Sequence, residues 1–446
     1  MRINSIDIRY FRGFSEKHFD FAPKMNVILG NNTAGKTTLL HAVQIALGAY
    51  FQAMTLLPKE RPYRRNFKDE DHVRRYSDAN KSFLRSPEKP YIETSASFFI
   101  SNINKNGRNE VIEHTIRWFR NSNNISRKSA GELMDDVAIM EKKRISSDAT
   151  GINTIFPIIL SFGSNRLEKN YRAAQKTKMK ESGIEKAYKC ALEENVDFKS
   201  AFDWIYKYDK NLAKDKEVAG TDTAFLEAVK EAIPAMKHIE IDTKNNEFTA
   251  LIQMASDPEP KWLTYDMMSD GFKSMTNIVA EIAYRCVELN GFLGADAIRK
   301  TPGVVLIDEL DLFLHPRWQR HILTDLQNAF PLIQFIVTTH SPFIAQSVEG
   351  TNIITLDGKK TDIPPTNRGI EEIVACEMGM EGLLRSKVYR DKQDLATRYF
   401  ELVKAGAEGE AETEEVRRQL EKLELEADLY HDPAYKSFLM LNKGRL

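Results

Sequence analysis

Short, continuously apolar stretches recur along the chain, and each ends where the composition turns polar. The stretches MNVIL (Met25–Leu29), VVLI (304–307) and QFIV (334–337) are too short for helices and predict buried strands. Residues 91–120 instead alternate apolar and polar side chains, which predicts antiparallel strands. The pattern therefore predicts an α/β fold with a mixed sheet, flanking helices and an antiparallel lobe.

Two further stretches repeat their apolar residues at the helical period of about 3.6 residues. In the first stretch, after GKTT, the apolar positions are Leu39, Leu40, Val43 and Leu47. In the second stretch, after SDGF, they are Met275, Ile278, Val279, Ile282, Ala283 and Cys286. Each predicted helix begins at a polar, glycine-containing turn, where its unpaired backbone N–H groups can meet an anion.

Two regions are polar and helical in pattern. Residues 166–235 show no sustained heptad repeat, so they predict a short helical insertion rather than a long coiled coil. The tail from residue 371 is interrupted by the linker-like AGAEGEAET. Its amphipathic run lies at Val416, Leu420, Leu423 and Leu425. The sequence leaves two roles for this tail: it docks on the rest of the chain, or it binds a partner.

Composition excludes several classes of protein. With 42% hydrophobic and 28% charged residues, the chain of 446 residues is typical of globular proteins with a large core. No apolar run is long enough for a transmembrane helix, and the opening MRINSIDIRYFRGF is strand-like rather than a signal peptide. The three cysteines (Cys190, Cys286, Cys376) form no C-x-x-C pair, which predicts a reducing cytoplasm and excludes a cysteine-built zinc site.

The stretch GNNTAGKTT has the G-x-x-x-x-G-K-T spacing of a Walker A phosphate-binding loop. A strand before it and a helix after it are the context that this loop requires. Lys36 would neutralise β- and γ-phosphate oxygens, and the Thr37 hydroxyl would ligate Mg²⁺. The predicted nucleotide-binding residues of the loop are Gly30, Asn31, Asn32, Thr33, Ala34, Gly35, Lys36, Thr37 and Thr38.

Two later strands supply the expected second half of an ATP site. The segment VVLIDELDLFLHP has the shape of a Walker B strand, in which Asp308 would hold Mg²⁺ through water and Glu309 would polarise the attacking water. The segment QFIVTTHSP ends at His340, which could reach the γ-phosphate. Glu309 and His340 are therefore the predicted catalytic residues.

A third motif separates the classes of ATPase. Ser269, Asp270 and Gly271 precede a predicted helix and form a second anion site at its N-terminus. Beside Walker A, Walker B and a switch histidine, this tripeptide resembles the signature of ABC ATPases. Such a signature lies too far from its own Walker A loop to complete that site. It predicts a head-to-tail dimer in which each chain closes on ATP held by the other.

Together these motifs resemble the ABC-class ATPases of the SMC, RecF and OLD group. The resemblance rests on IDIRYFRGF, PIILSFGSNR, SDGF and DELDLFLHP, and it covers about residues 1–50, 155–170 and 262–345. The chain looks most like the compact heads that include the ATPase subunits of Septu-type and retron-associated anti-phage systems. The resemblance places Arg12 near the nucleotide phosphates, with Phe11 nearby, and gives His315 the D-loop position.

The chain also departs from that pattern. Thr33 stands where many ABC loops have glycine, and Phe272 replaces the usual Gln or Glu after the signature glycine. No glutamine stands clearly as the Q-loop, although the turn with Ser164 and Asn165 could take that role. These departures put the rate of turnover in question more than ATP binding.

The resemblance implies a regulatory ATPase that controls a separate nuclease of the HNH type. The tail is too short and too helical for a Toprim nuclease module, and no H-N-H or P-D…E-x-K pattern is present. The alternative is a RecF-like or SMC-like clamp that acts in DNA repair without a dedicated nuclease. A transporter motor is disfavoured by FRGF, by the L-H-P D-loop and by the missing Q-loop glutamine.

Contact with DNA or RNA would have to come from local basic patches, because the net charge of the chain is −1. The stretch RPYRRNFKDEDHVRRY (61–76) mixes arginines with aromatic residues, but acidic residues interrupt it. The stretch RLEKNYRAAQKTKMK (166–180) is the other candidate.

The predicted organisation has four parts. Residues 1–165 form the N-terminal lobe of the ATPase head, residues 166–237 a helical insertion, residues 238–370 the C-terminal lobe, and residues 371–446 the helical tail.

Overall fold

The computed structural model describes most of the chain. The described residues are 1–31, 33–58, 63, 65–77, 81–103, 109–147, 153–165, 182–193, 198–214, 217–254, 259–347, 353–356, 365–376, 378, 387–406 and 410–427. Asn32, residues 166–181 and part of the stretch 61–64 lie outside these ranges, so the predictions made for them are not addressed by the structure. The chain divides into two compact units, Met1–Gly379 and Met380–Leu446.

The strands of the first unit are, in chain order, β1 (Arg2–Phe11), β2 (Phe14–Asp20), β3 (Met25–Leu29), β4 (Arg74–Ser77), β5 (Ser82–Arg85), β6 (Tyr91–Ile103), β7 (Asn109–Arg120), β8 (Asn153–Thr154), β9 (Ile158–Phe162), β10 (Met236–Asp242), β11 (Glu247–Ile252), β12 (Lys261–Thr264), β13 (Gly303–Ile307), β14 (Ile333–Thr338) and β15 (Ile353–Thr355).

The helices are α1 (Lys36–Ala53), α2 (Arg127–Ile145), α3 (Gly183–Tyr188), α4 (Lys199–Leu212), α5 (Thr221–Ala232), α6 (Asp270–Asn290), α7 (Pro316–Gln319), α8 (Ile322–Ala329), α9 (Pro342–Gln346) and α10 (Ile370–Cys376) in the first unit, and α11 (Lys387–Lys404) and α12 (Ala411–Ala427) in the second.

A five-stranded parallel sheet has the order β15-β3-β14-β13-β9. Strands β3, β13 and β14 are the three apolar stretches of the sequence, and every residue in them is buried. Strands covered on both faces need such continuous apolar sequences. Because the strands are parallel, the loops that follow β3, β13 and β14 emerge at the same edge of the sheet.

A second sheet is antiparallel, with the order β2-β1-β6-β7 and with β8 paired to β6. Strands β6 and β7 lie within the alternating residues 91–120, so the predicted antiparallel lobe is confirmed. The mixed α/β architecture is confirmed as well.

Helix α1 lies between the two sheets and contacts β14 on one side and β6 and β7 on the other. Its burial on both sides explains why 15 of its 18 residues are buried. Two buried side chains of β7 hold it in place: Trp118 Nε1 donates to the Ala46 carbonyl at 3.0 Å, and Arg120 Nη1 donates to the Ile45 carbonyl at 3.0 Å. The antiparallel lobe therefore fixes the helix that carries the phosphate-binding loop.

The described helices of the predicted insertion (α3, α4 and α5) pack into the core of the first unit around α6. Arg285 of α6 donates to the Ala187 carbonyl at 2.6 Å, and the rings of Phe162 and Phe198 stack with their centroids 6.1 Å apart. A third, antiparallel sheet, β10-β11-β12, follows the insertion and leads into α6.

The described residues of the second unit form two helices, α11 and α12, that contact each other. Gly406 adopts a positive φ of 80° after α11, at the glycine-containing linker noted in the sequence. Val416 and Leu420 of the amphipathic run are buried, and Arg398 contacts Glu412 at 2.5 Å across the pair. In the described part of the chain, no helix has both the length and the apolar character needed to cross a membrane.

Candidate nucleotide site

The phosphate-binding loop sits between β3 and α1, as the sequence predicts. The buried Lys36 ammonium lies inside the loop and donates to the carbonyl oxygens of Gly30 at 2.6 Å and Asn31 at 2.9 Å. The Ala34 N–H closes the turn onto the Asn31 carbonyl at 3.1 Å. The only flexible cation of the motif is thus held at the centre of the loop, where phosphate oxygens would be cradled.

Gly35 is the N-cap of α1 and has a left-handed backbone with φ 100°. A Cβ at this position would lie 2.8 Å from the Phe14 ring, so both the backbone and the space require glycine. A glycine N-cap has no side chain to bond the first N–H groups of α1. These donors and the positive end of the helix dipole therefore face the loop.

Asp308 follows β13 and meets the phosphate-binding loop through Thr37. The Thr37 Oγ1 lies 3.0 Å from Asp308 Oδ2 and 3.4 Å from Oδ1. A hydroxyl and a carboxylate at this separation are hard oxygen ligands of the kind that Mg²⁺ prefers. The two predicted metal ligands are therefore brought together, and their chemistry fits a magnesium ion.

Thr338, at the end of β14, holds the segment that contains Asp308 and Glu309. Its hydroxyl donates to Asp308 Oδ1 at 2.5 Å and accepts from the Glu309 N–H at 2.8 Å. Glu309 is half-buried and has a left-handed backbone with φ 49°, which is uncommon for a residue other than glycine. Backbone strain of this kind persists where the surroundings fix it, and Thr338 is one such constraint.

Asp311 connects the loop after β13 to His340. Its Oδ1 accepts from Thr339 Oγ1 at 2.5 Å and from the His340 N–H at 3.2 Å. The His340 side chain is exposed at the end of β14, and Glu309 lies at the end of the neighbouring β13. The two predicted catalytic residues are therefore carried by adjacent strands.

A second link joins the same two loops. Gln319 of α7 donates to the Leu314 carbonyl at 2.8 Å and accepts from Ser341 Oγ at 2.6 Å. Ser341 also caps α9, since its Oγ accepts from the N–H groups of Phe343 and Ile344. His315 caps α7 through its Nδ1, which accepts from the Arg317 N–H at 3.2 Å. The predicted D-loop is thus joined to the segment of the predicted switch histidine, His340, by a network of hydrogen bonds.

The predicted signature lies at the start of α6. Ser269 is the N-cap residue, but its side chain makes no capping hydrogen bond, and both Ser269 and Asp270 are exposed. Gly271 is buried against the D-loop: a Cβ on it would lie 2.6 Å from the Phe313 carbonyl oxygen. Phe313 itself has a left-handed φ of 67° and is 48% exposed. The signature and the D-loop therefore form one surface.

Arg12 occupies a different setting from the phosphate-binding loop. Its guanidinium contacts the fully buried Asp71 at 2.8 Å and Glu70 at 3.2 Å. The Arg12 N–H donates to the Asp71 carbonyl at 3.0 Å, and its backbone φ is 49°. Arg12 is thus fixed on the turn around Asp71, and a role toward the nucleotide stays a prediction, as it does for the residues of the SFGSNR turn.

Sequence reasoning missed Thr338, Asp311, Gln319 and Gln44. Gln44 of α1 donates to Ser161 Oγ of β9 at 2.8 Å, and both residues are buried. The only signal for the first two residues is their place beside the predicted catalytic residues, in DELD and TTHS. Nothing in the sequence indicates the contacts of Gln319 and Gln44.

Comparison with known proteins agrees with this geometry. Residues 5–254, which are more than half of the chain, match the family described as "AAA domain", and the chain therefore belongs to that family. Residues 192–345 match a second AAA-domain family, whose description also names the AbiEii toxin and type IV toxin–antitoxin systems. The chain is an ATPase, and the expected nucleotide binding follows from its family.

Three relatives carry the resemblance further. The "Retron Vc95 probable ATPase" of Vibrio cholerae serotype O1 biovar El Tor is 25% identical over an alignment of 472 positions, gaps included. The alignment covers 94% of this chain and 86% of the relative. The "Retron Ec83 probable ATPase" of Escherichia coli is 26% identical, covering 83% of this chain and 74% of the relative. The Septu protein PtuA of Bacillus mycoides (strain KBAB4) is 33% identical over 168 aligned positions, and the alignment covers 35% of this chain and 22% of the relative. The resemblance to ABC-class ATPases of retron and Septu systems is confirmed.

Proposed function

We propose that this ATPase is the regulatory subunit of an anti-phage defence complex. It dimerises around ATP, and its nucleotide state controls a separate nuclease, for which the Septu resemblance implies the HNH type. The observation that supports the dimer is the joined surface of predicted signature and D-loop, in which Gly271 packs on Phe313 while Ser269 stays exposed and its side chain makes no capping hydrogen bond.

The roles proposed for the site residues follow from their positions. Lys36 would exchange its loop carbonyl partners for β- and γ-phosphate oxygens, and Thr37 and Asp308 would hold Mg²⁺. Mg²⁺ would neutralise charge that develops on the phosphate oxygens. Glu309, whose backbone is tied to Thr338, would orient and polarise the attacking water. His340 would reach the γ-phosphate from the adjacent strand.

Closure by a second chain follows from the signature. The exposed start of a 21-residue helix is a site for an anion, and the N-terminal dipole favours one by about 0.3–1 kcal/mol. Ser269 and the N–H groups near Gly271 would then bind the γ-phosphate held by the partner chain. Hydrogen bonds to a charged phosphate would add about 1.5–3 kcal/mol each. Two such sites in each dimer would make the association of the heads depend on ATP.

The nuclease and the defence role are proposed from the relatives. Two retron ATPases match most of this chain, and a Septu protein matches part of it. We therefore expect a nuclease gene beside the gene for this protein, and its product should copurify with the ATPase. A chain that binds DNA ends but copurifies with no nuclease would favour the alternative, a RecF-like or SMC-like repair clamp.

Dimer formation is tested with Ser269→Arg and Glu309→Gln. In the chain with Glu309→Gln, ATP should bind, turnover should fall by about two to four orders of magnitude, the usual scale for loss of a general base, and the dimer should accumulate. Adding Ser269→Arg should leave ATP binding by the monomer nearly unchanged and should prevent dimer formation. The measurements are mass photometry with and without ATP, the turnover rate, and binding of a fluorescent ATP analogue.

Lys36→Ala is the matched control, because it should abolish ATP binding itself and so also prevent the dimer. A dimer that forms with ATP in the Ser269→Arg/Glu309→Gln chain as in the Glu309→Gln chain would contradict the proposed closure. Unchanged turnover in Glu309→Gln would remove Glu309 from its catalytic role.

A further inference from the structure

A small hairpin stands apart from the three larger sheets of the first unit. Within the described part of the chain, strands β4 and β5 pair only with each other, and all of their side chains except Ser77 are exposed. A two-stranded hairpin with no buried face is only marginally stable by itself. Its side chains are therefore of interest for what they could bind.

One face of this hairpin carries two aromatic residues and two arginines. In the antiparallel register Tyr76 lies opposite Phe83, and Arg74 lies opposite Arg85, which puts all four on one side. The rings of Tyr76 and Phe83 meet edge to face with their centroids 5.3 Å apart. Tyr76 is 54% and Phe83 67% exposed, so flat aromatic surface is presented to solvent. We call these four residues the hairpin face.

A cleft of about 340 Å³ adjoins the hairpin face at Arg85. Its lining includes three cations, Lys68, Arg85 and Lys89, together with His72 and the amide side chains of Asn121 and Asn123. We call this cleft the basic cleft.

Among the described residues that line the cleft, Asp69 is the one carboxylate, and it is shared. Asp69 contacts both Arg74 and Arg85, so a single negative charge lies between two arginines of the hairpin face. Lys68 reaches Glu70 at 3.6 Å, and both of these side chains are more than half exposed, which makes the pair weak. The basic cleft and the hairpin face therefore keep a surplus of positive charge, although the whole chain has a net charge of −1.

We propose that the hairpin face and the basic cleft together form a binding site for single-stranded nucleic acid. Bases stack on Tyr76 and Phe83, because exposed aromatic rings accept bases of any kind. The phosphates that follow enter the basic cleft, where Lys68, Arg85 and Lys89 neutralise them. A duplex fits less well, since its bases are already stacked on one another and are not free to contact the two rings.

Binding to a labelled single-stranded oligonucleotide tests this site. The full-length protein is titrated into a fluorescein-labelled oligodeoxynucleotide of about 15 nucleotides, a length within the usual range of single-strand sites. Anisotropy is measured without ATP at several salt concentrations, and a duplex of equal length is the comparison. The wild type should bind the single strand more tightly than the duplex. ATP is left out so that failure of this site is distinguishable from failure of the proposed dimer.

Two double variants separate the two parts of the site. Tyr76→Ser/Phe83→Ser should weaken binding at least about fivefold, the lower end of what loss of one base stack produces, without changing the salt dependence. Lys68→Gln/Lys89→Gln should reduce the slope of log affinity against log salt by about 0.7 for each phosphate that the protein no longer neutralises. If the hairpin had only a structural role, the two double variants would not differ in this way, one in affinity alone and the other in salt dependence.

Matched controls change similar side chains elsewhere. Trp262→Ser removes another exposed aromatic residue on a strand, and Lys17→Gln removes an exposed lysine on β2. Both should bind the oligonucleotide as the wild type does, and thermal melting should show that every variant is folded.

Equal binding of duplex, unchanged binding in both double variants, or absence of wild-type binding at low salt would overturn the proposal. A change in the native mass of Tyr76→Ser/Phe83→Ser would also overturn it, because it would assign the hairpin face to contact between copies of this chain.

Discussion

Thr338 shows how much of the site depends on one hydroxyl group. It bonds the Asp308 carboxylate and the Glu309 N–H at once, so it fixes the predicted metal ligand and the backbone of the predicted catalytic residue. Its side chain and that of Asp308 are almost completely buried. Water therefore cannot easily replace the hydroxyl if it is removed.

We predict that Thr338→Val destabilises the fold and weakens magnesium-dependent ATP binding. A methyl group in place of the hydroxyl removes one hydrogen bond from the Asp308 carboxylate and one from the Glu309 N–H, which costs about 1–3 kcal/mol. The checks are the thermal unfolding midpoint and the magnesium concentration for half-maximal turnover. Thr338→Ser keeps the hydroxyl and should stay close to the wild type in both. A Val variant that equals the Ser variant would show that the hydroxyl is dispensable.

For single residues, those within a motif can be predicted from the sequence, whereas the residues that hydrogen-bond them from elsewhere in the chain cannot. Gly35, Lys36 and Thr37 stand in one short stretch whose spacing predicts their chemistry, and the structure puts Lys36 inside the loop and Thr37 beside Asp308. Thr338 acts on Asp308 across 30 positions, because β13 and β14 are neighbours in the sheet. Arg12 likewise meets Asp71 across 59 positions. Such contacts depend on the tertiary structure and have no local pattern.

The contact between α6 and the predicted D-loop fixes the position of the predicted signature at the start of α6. Gly271 in the first turn of α6 touches the Phe313 carbonyl so closely that no side chain fits between them. Phe313 in turn follows Asp311, which bonds the backbone of His340. A shift of α6 would therefore move the predicted signature and disturb the loop that bonds the backbone of His340, the predicted switch histidine.

We predict that Gly271→Ala separates α6 from the D-loop. The new Cβ would lie 2.6 Å from a backbone oxygen that cannot turn away, and overpacking of this kind costs about 1–3 kcal/mol. Turnover should fall more than ATP affinity, because Lys36 and Thr37 are untouched. Steady-state kinetics, ATP binding and thermal unfolding measure the three quantities.

Gly291→Ala at the other end of α6 is the control. Its Cβ would meet only Val287 Cγ1, at an ordinary 3.6 Å, so this change should leave kinetics and stability close to the wild type. If Gly271→Ala also left kinetics and stability close to the wild type, the close packing of the predicted signature on the D-loop would not be needed for activity.

Elements were predictable where their sequences are long or strongly patterned. The three apolar stretches, the alternating residues 91–120 and the helix after Ser269 appear as expected. The order of the parallel sheet, with β14 between β3 and β13, was not predictable, since apolar runs do not specify their neighbours. The packing of α3, α4 and α5 around α6 was also missed. Twelve apolar residues of these three helices lie in the core, but an amphipathic pattern does not specify which element its apolar face packs against.

At the scale of the whole molecule, the candidate nucleotide site and the tail belong to different units of the chain. Every described residue of that site lies in the first unit, Met1–Gly379, which has its own parallel sheet and buried core. In its described residues, the second unit consists of the helices α11 and α12, and Val416 and Leu420 of α12 are buried. A compact unit with a core of its own is expected to fold without its neighbour.

We predict that a chain ending at Gly379 binds ATP as tightly as the full chain, because the hydrogen bonds described above for Lys36, Asp308 and Thr338 all lie within the first unit. Binding of a fluorescent ATP analogue to the purified, folded fragment measures this, and Lys36→Ala in the same fragment should abolish the signal. A folded fragment that fails to bind ATP would show that the tail contributes to the site.

The fragment also distinguishes the two roles left open for the tail. Loss of nuclease copurification with ATP binding intact would assign partner binding to the second unit, whereas retained copurification would place the partner on the first.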